Sequence, residues 1–196
     1  MIRVLVVDDH PAVRAGLLSL LRSEPGIVVV AAAASAADAL ACTERIRPDV
    51  VVLDYDLPDH DGLLLCCDLK ALSEPPCVIL YSAFARPRLA PAAAVAGADA
   101  MLDKGAAPEE LFETVRRVAR GAAAPLSAPP EVIERCVTAL PPSDISLFGM
   151  AINGTPAAEI AAVAGDDVSA TRVRLRSLVR RLQRPLDPAA VPADRE

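Results

Sequence analysis

Five short apolar runs, at residues 2–7, 27–30, 50–53, 77–81 and 100–102, show no alternation of polar and apolar side chains. A strand that is apolar on both faces must be covered on both, the situation of a parallel sheet held between layers of helix. Helix-like segments, beginning with residues 11–22, lie between and after the runs. The order therefore predicts five βα units and an α/β, doubly wound parallel sheet over residues 1–120. In the helix expected after the fourth run, Pro87 suits the start but Pro91 would break the interior, so this element is expected to be short or mobile.

Residues 121–130, GAAAPLSAPP, carry three prolines, a glycine and no charge, which reads as a semi-rigid linker. Beyond it every pattern is helical, at 131–139, 143–153, 156–164 and 168–184. Residues 131–184 are therefore expected to form a small all-α module, and 185–196, with Pro185, Pro188 and Pro192, a disordered tail. A length of 196 residues accommodates one ordinary domain and one small one.

Open parallel sheets bind ligands beyond the carboxyl ends of their strands, where the strand order reverses. Asp8 and Asp9 follow the first run, Asp54 the third, Ser82 the fourth and Lys104 the fifth. Three carboxylates this close cannot all stay ionised without a cation, and an all-oxygen set favours Mg2+. With the metal and the lysine neutralising phosphoryl oxygens, an in-line carboxylate can act as nucleophile, and Asp54 is the best placed.

In these residues the chain resembles the receiver domain of NarL/FixJ-type response regulators. The segments VLVVDDHPAVRAGL, VVLDYDLPDHDG and AGADAMLDKG carry the resemblance over residues 1–120. It implies a flavodoxin-like sheet in which Asp54 takes a phosphoryl group from a sensor histidine kinase. It implies further that Asp9, Asp54 and the carbonyl of Asp56 bind Mg2+, with Asp8 acting mostly through water, that Lys104 pairs with the phosphate, and that Ser82 moves toward it. The family's aromatic switch residue is replaced by Met101, a flexible side chain able to fill the same gap.

The second module resembles a LuxR-type helix-turn-helix: GTPAAEIA enters the scaffold helix, Gly165-Asp166 forms the turn, and Asp167 can cap the following helix. On that helix Thr171, Leu175, Leu178, Val179 and Leu182 make an inward stripe, and Arg172, Arg176 and Arg180 share another face suited to a DNA major groove. By resemblance Arg172, Val173 and Arg176 read bases, while Arg174, Arg180 and Arg181 contact phosphate. The helix that usually follows is replaced by RPLDPAAVPADRE. A phosphorylation-dependent homodimer is therefore expected to form through the receiver, with Leu17, Leu20, Leu21, Val115 and Val118 as candidates.

Net charge is −6, yet no acid occurs between Val168 and Arg184, so one element is strongly basic. The alternative partner for such a helix is a protein rather than promoter DNA. A metal-dependent phosphatase using Asp54 and Asp56 fits poorly, because that class carries its D-x-D pair after the first strand. Five cysteines without paired metal-ligand spacing suggest buried thiols in a cytoplasmic setting, with a Cys66–Cys67 redox pair as the sharper alternative. No apolar run is long enough to span a membrane, so no membrane partner is expected, and the chain reads as a regulator rather than an enzyme.

Overall fold

The computed structural model describes residues 1–83, 87–122 and 126–186. Strands β1 (Ile2–Val7), β2 (Ile27–Ala33), β3 (Val50–Leu53), β4 (Cys77–Ser82) and β5 (Ala100–Asp103) form one parallel sheet in the order β2-β1-β3-β4-β5. Helices α1 (Pro11–Ser23), α2 (Ala36–Ile46), α3 (Gly62–Lys70), α4 (Ala90–Ala96) and α5 (Pro108–Ala119) connect and cover it. This is the doubly wound fold that the five apolar runs predict. Val4, Val50, Val51 and Ile79 have no solvent exposure, as strands covered on both faces require.

Two apolar clusters sandwich the sheet. One lies beneath α1 and α5 and holds Leu17, Leu21, Val115 and Val118, so four of the five residues considered for dimerisation are core; only Leu20 is exposed. The other fills the α2–α3–α4 side and continues, without a break, into the C-terminal helices. These are α6 (Pro130–Ala139), α7 (Pro142–Ile152), α8 (Ala157–Ala164) and α9 (Val168–Leu186). Helix α9 packs on α3 and α4, and α7 also reaches α4.

Pro91 does not interrupt a helix. Helix α4 begins at Ala90 after a 3-10 turn at Pro87–Leu89, which puts Pro91 in the first turn, where its missing N–H costs nothing. The element is short, as expected, and buried at Ala90, Ala92, Ala93, Val95 and Ala96. Its small side chains leave room for α9 to lie close. Helix α9 continues to Leu186, two residues past the expected end; the rest of the expected tail, 187–196, and linker residues 123–125 lie outside the described residues. Among the described residues no helix is long and apolar enough to cross a membrane.

Candidate phosphoacceptor site and C-terminal helix

Strand pairing places the acids. Asp54 N–H donates to Val7 O at 2.8 Å and Asp8 N–H to Ala33 O at 3.2 Å, so the ladders continue one residue past β3 and β1. Both side chains then point over the carboxyl edge at the point where strand order reverses. On the far side Lys104 N–H bonds Ser82 O at 3.1 Å, tying the lysine's strand end to the hydroxyl's.

The Lys104 ammonium lies 2.7 Å from Asp8 Oδ2 and 2.7 Å from Asp54 Oδ2. Asp8 is 1% and Asp54 4% exposed, so the three groups form a desolvated cluster of two anions and one cation. Burial pushes the Asp54 carboxyl above the usual aspartate value despite its bond to Lys104, and the nearby Asp8 charge adds to that. Burial alone would lower the Lys104 amine; its hydrogen bonds to Asp54 and Asp8 outweigh this and raise it. The asymmetry follows from the count: one ammonium gains from two carboxylates, while each carboxylate has half a cation. The site is short of positive charge.

Asp9 completes the acidic edge. Potential ligand atoms of Asp8, Asp9, His10 and Asp54 lie within 4.8 Å of one another, and Asp9 Oδ1 forms an ion pair with His10 Nδ1 at 2.6 Å. Three carboxylates converging on one edge are the donor set a divalent cation fits. The side chain of Asp56 is exposed and stands outside this group. Ser82 is buried at the end of β4, and Met101, paired across from Leu80, packs half-buried against the larger apolar cluster.

Several supporting residues carry no role in the sequence reading. Arg14 Nη1 donates to Asp8 O at 2.6 Å and Asp9 O at 3.2 Å, fixing the turn that carries both acids. Tyr81 Oη donates to Lys104 O at 3.2 Å. A Cβ on Gly62 would stand 2.4 Å from Asp54 O, so only glycine lets α3 start against the β3 terminus. Asp59 accepts from Ala36 N–H (2.9 Å) and Ala37 N–H (3.2 Å), which holds its carboxyl below the usual value and caps α2. Asp61 Oδ1 caps α3 through Leu63 N–H and Leu64 N–H. The acids of DYDLPDHDG thus divide between chemistry and capping, a division that composition alone does not reveal.

In the C-terminal module Gly165 turns the chain at φ +71°, Asp167 Oδ1 accepts from Ala170 N–H at 2.9 Å, and Thr171, Leu175, Leu178, Val179 and Leu182 are all buried. The arginines are not arrayed on one open face. Arg176 forms an ion pair with Asp68, donates to Leu64 O at 3.1 Å and lies 3.2 Å from His60 Nε2. Arg172 donates to Ala71 O at 3.0 Å, and Gln183 donates to Asp61 Oδ2 at 2.6 Å. Arg174 pairs with Asp166 and Arg181 with Asp144, contacts internal to the module. Arg180 and Val173, the latter 69% exposed, face solvent. Spacing along α9 gave the residues that share a face; it could not reveal that Arg172 and Arg176 on it meet the receiver.

The cysteine pair is inert here. Cys66 is fully buried with its thiol pushed well above the usual value, and burial pushes Cys67 up to about 12, so neither is a thiolate near neutrality.

An all-parallel β2-β1-β3-β4-β5 sheet with two carboxylates and a lysine joined at its carboxyl edge is the arrangement of a flavodoxin-like receiver domain. The response regulator receiver domain profile matches residues 4–116, and the chain belongs to that family. It is 42% identical over 124 residues to the DNA-binding transcriptional activator DevR/DosR of Mycobacterium tuberculosis, a match covering 62% of this chain and 56% of that protein. It is 26% identical over 191 residues to the nitrate/nitrite response regulator NarL of Escherichia coli K12, covering 92% of this chain and 88% of the relative. Among solved structures, the receiver domain of a NarL response regulator from Mycobacterium tuberculosis superposes with a TM-score of 0.59 at 33% identity, covering 61% of this chain and 97% of that one.

Proposed function

We propose that Asp54 accepts a phosphoryl group from a sensor histidine kinase and that the modified protein regulates transcription by binding promoter DNA through α9. The observation that carries this reading is the pairing of one lysine with two buried aspartates at the switch point of the sheet. Asp54 Oδ attacks phosphorus in line as the phosphohistidine nitrogen leaves, while the Lys104 ammonium holds a phosphoryl oxygen. Asp9, Asp54 and the Asp56 carbonyl, with Asp8 through water, would hold Mg2+, which would supply the positive charge that the two-acid, one-lysine cluster lacks. Ser82 then bonds the new phosphoryl group, and Met101 fills the space behind it.

DNA binding is supported by the basic, acid-free α9 and by the names of the relatives, one a DNA-binding transcriptional activator. Arg172, Val173 and Arg176 are proposed to read bases, with Arg180 as the open phosphate contact. In the described conformation Arg172 and Arg176 are held by the receiver, so the reading includes release of α9 on phosphorylation. The loop that leads from Asp54 to α3 is itself fastened to α9 through His60 and Asp61, which links the site to the release. Dimerisation through the α1–α5 face is retained as part of the proposal, now resting on Leu20.

Incubation with Mg2+ and acetyl phosphate, followed by intact mass measurement, is expected to add one phosphate to the native chain and none to Asp54→Asn. Sedimentation of the same samples is expected to show dimer only where phosphate was added. An adduct that persists in Asp54→Asn would overturn the site assignment.

A further inference from the structure

Between the receiver and the C-terminal helices lies a cleft of about 600 Å³, a volume within the range of small-molecule sites. Val95 of α4 stands on one side, Ile160 of α8 and Leu175 of α9 on the other, and all three are buried. Alanines on both sides, among them Ala98 and Ala157, leave the space between them unfilled. Two bases and one acid line the cleft: Lys70, Arg172 and Asp99. Asp99 is engaged within the receiver, since its Oδ2 accepts from Lys70 Nζ at 2.5 Å and from Val78 N–H at 2.6 Å. Arg172 has no such counter-ion: among the described residues its guanidinium donates through Nη1 to Ala71 O at 3.0 Å and to no carboxylate. Its Nε and Nη2 groups keep the donor pair that fits a carboxylate bidentately. An apolar cleft with one unbalanced guanidinium is complementary to a single negative charge on an apolar body.

We propose that this cleft binds an amphipathic monocarboxylate, with its carboxylate on Arg172 and its apolar body between Val95, Ile160 and Leu175. A doubly charged phosphate head would exceed the single positive charge, and a neutral head would leave that charge unpaired. Because the walls come from both halves of the chain, such a ligand binds only while α9 lies on the receiver, and it occupies Arg172. It therefore favours the docked form by mass action and opposes DNA binding, so that the protein answers to a small molecule as well as to its kinase. That consequence rests on the proposed role of α9; the site itself does not.

The probe is octanoate, with octanol as its uncharged counterpart, each titrated by calorimetry into the full chain. Octanoate is expected to bind about tenfold or more tighter than octanol, the effect of a charge-assisted hydrogen bond. Arg172→Met, which keeps an apolar stem, should bring octanoate down to the level of octanol and leave octanol unchanged. Ala157→Phe, which fills the cleft from α8, should abolish binding of both. In the native chain, NMR contacts from the octanoate chain should reach the methyl groups of Val95, Ile160 and Leu175. Equal binding of octanoate by the native and Arg172→Met chains, contacts to other methyl groups only, or native binding weaker than about 1 mM overturns the site. Beryllofluoride should weaken octanoate binding several-fold; affinity that is unchanged by it, yet still lost in Arg172→Met, leaves the site standing and overturns the release of α9 instead.

Discussion

Lys104 is the residue on which the buried charges of the site depend, and its replacement tests the geometry directly. Its amine holds a proton more firmly in the folded protein than in the unfolded chain. That contribution to stability is complete below the ordinary lysine value and is lost as pH rises through the elevated one. Asp54 has the same slope, since its carboxyl is raised too: stability falls as pH rises from the ordinary aspartate value through the elevated one, so at neutral pH its ionisation is a cost. Lys104→Met leaves Asp8 and Asp54 buried and unpaired and is expected to destabilise by about 3–5 kcal/mol near neutrality, a loss that shrinks in acid as the carboxyls take up protons. Asp54→Asn is expected to shift the melting temperature the other way, by about 2–4 °C upward at neutral pH. Thermal melts of both variants from pH 4 to 8 check the pair of signs. These residues were legible in the sequence because strand ends can be counted from apolar runs. Arg14 and Gly62 were not, because their roles depend on backbone carbonyls and approach distances that no residue pattern records.

The helices were legible wherever a stripe of apolar residues had one reading. In α9 the five stripe residues all lie in the core, and Asp167 caps as its position before the helix suggests. Helix α4 was misread at Pro91 because the start of the helix was placed one turn too early, and a proline in the first turn has the opposite meaning to one in the middle. Its composition, APAAAVA, held a further clue: a helix apolar on every side needs cover beyond the sheet, and α7 and α9 supply it. The clasp between α9 and α3 is the part that sequence could not give, since it joins residues more than 100 positions apart. Removing it from the receiver side leaves Arg172 and Arg176, the proposed base readers, intact. Asp68→Ala is expected to raise the affinity of the unphosphorylated chain for cognate DNA several-fold, on the order of the 1–3 kcal/mol typical of coupled sites. Fluorescence anisotropy with a labelled promoter fragment, with and without beryllofluoride, measures it; affinity unchanged in the resting protein would show that the clasp does not hold α9 back.

On the scale of the whole molecule, DNA recognition is best tested on protein activated with beryllofluoride, where α9 is expected to be released. There Arg172→Ala and Arg176→Ala should each cost about 1–3 kcal/mol on a cognate site and less on random sequence. Arg180→Ala should weaken both alike and reduce the salt dependence of binding by about one unit of slope. Equal losses for all three on both DNAs would show that the arginines act as charge alone. The five-stranded sheet and the acidic edge were legible because each is written in local runs of residues. The docked arrangement was not, because it arises from two surfaces that complement each other only once both modules are folded. The apolar cluster that runs unbroken from beneath α3 and α4 into α6, α7 and α9 gives that arrangement a thermodynamic character of its own. While the halves share a core, neither can melt without exposing the other, so the resting protein has the cooperativity of one body. If α9 departs as proposed, the receiver and the helical module must each stand on a smaller core, and the released state is the less cooperative of the two: one folding unit becomes two.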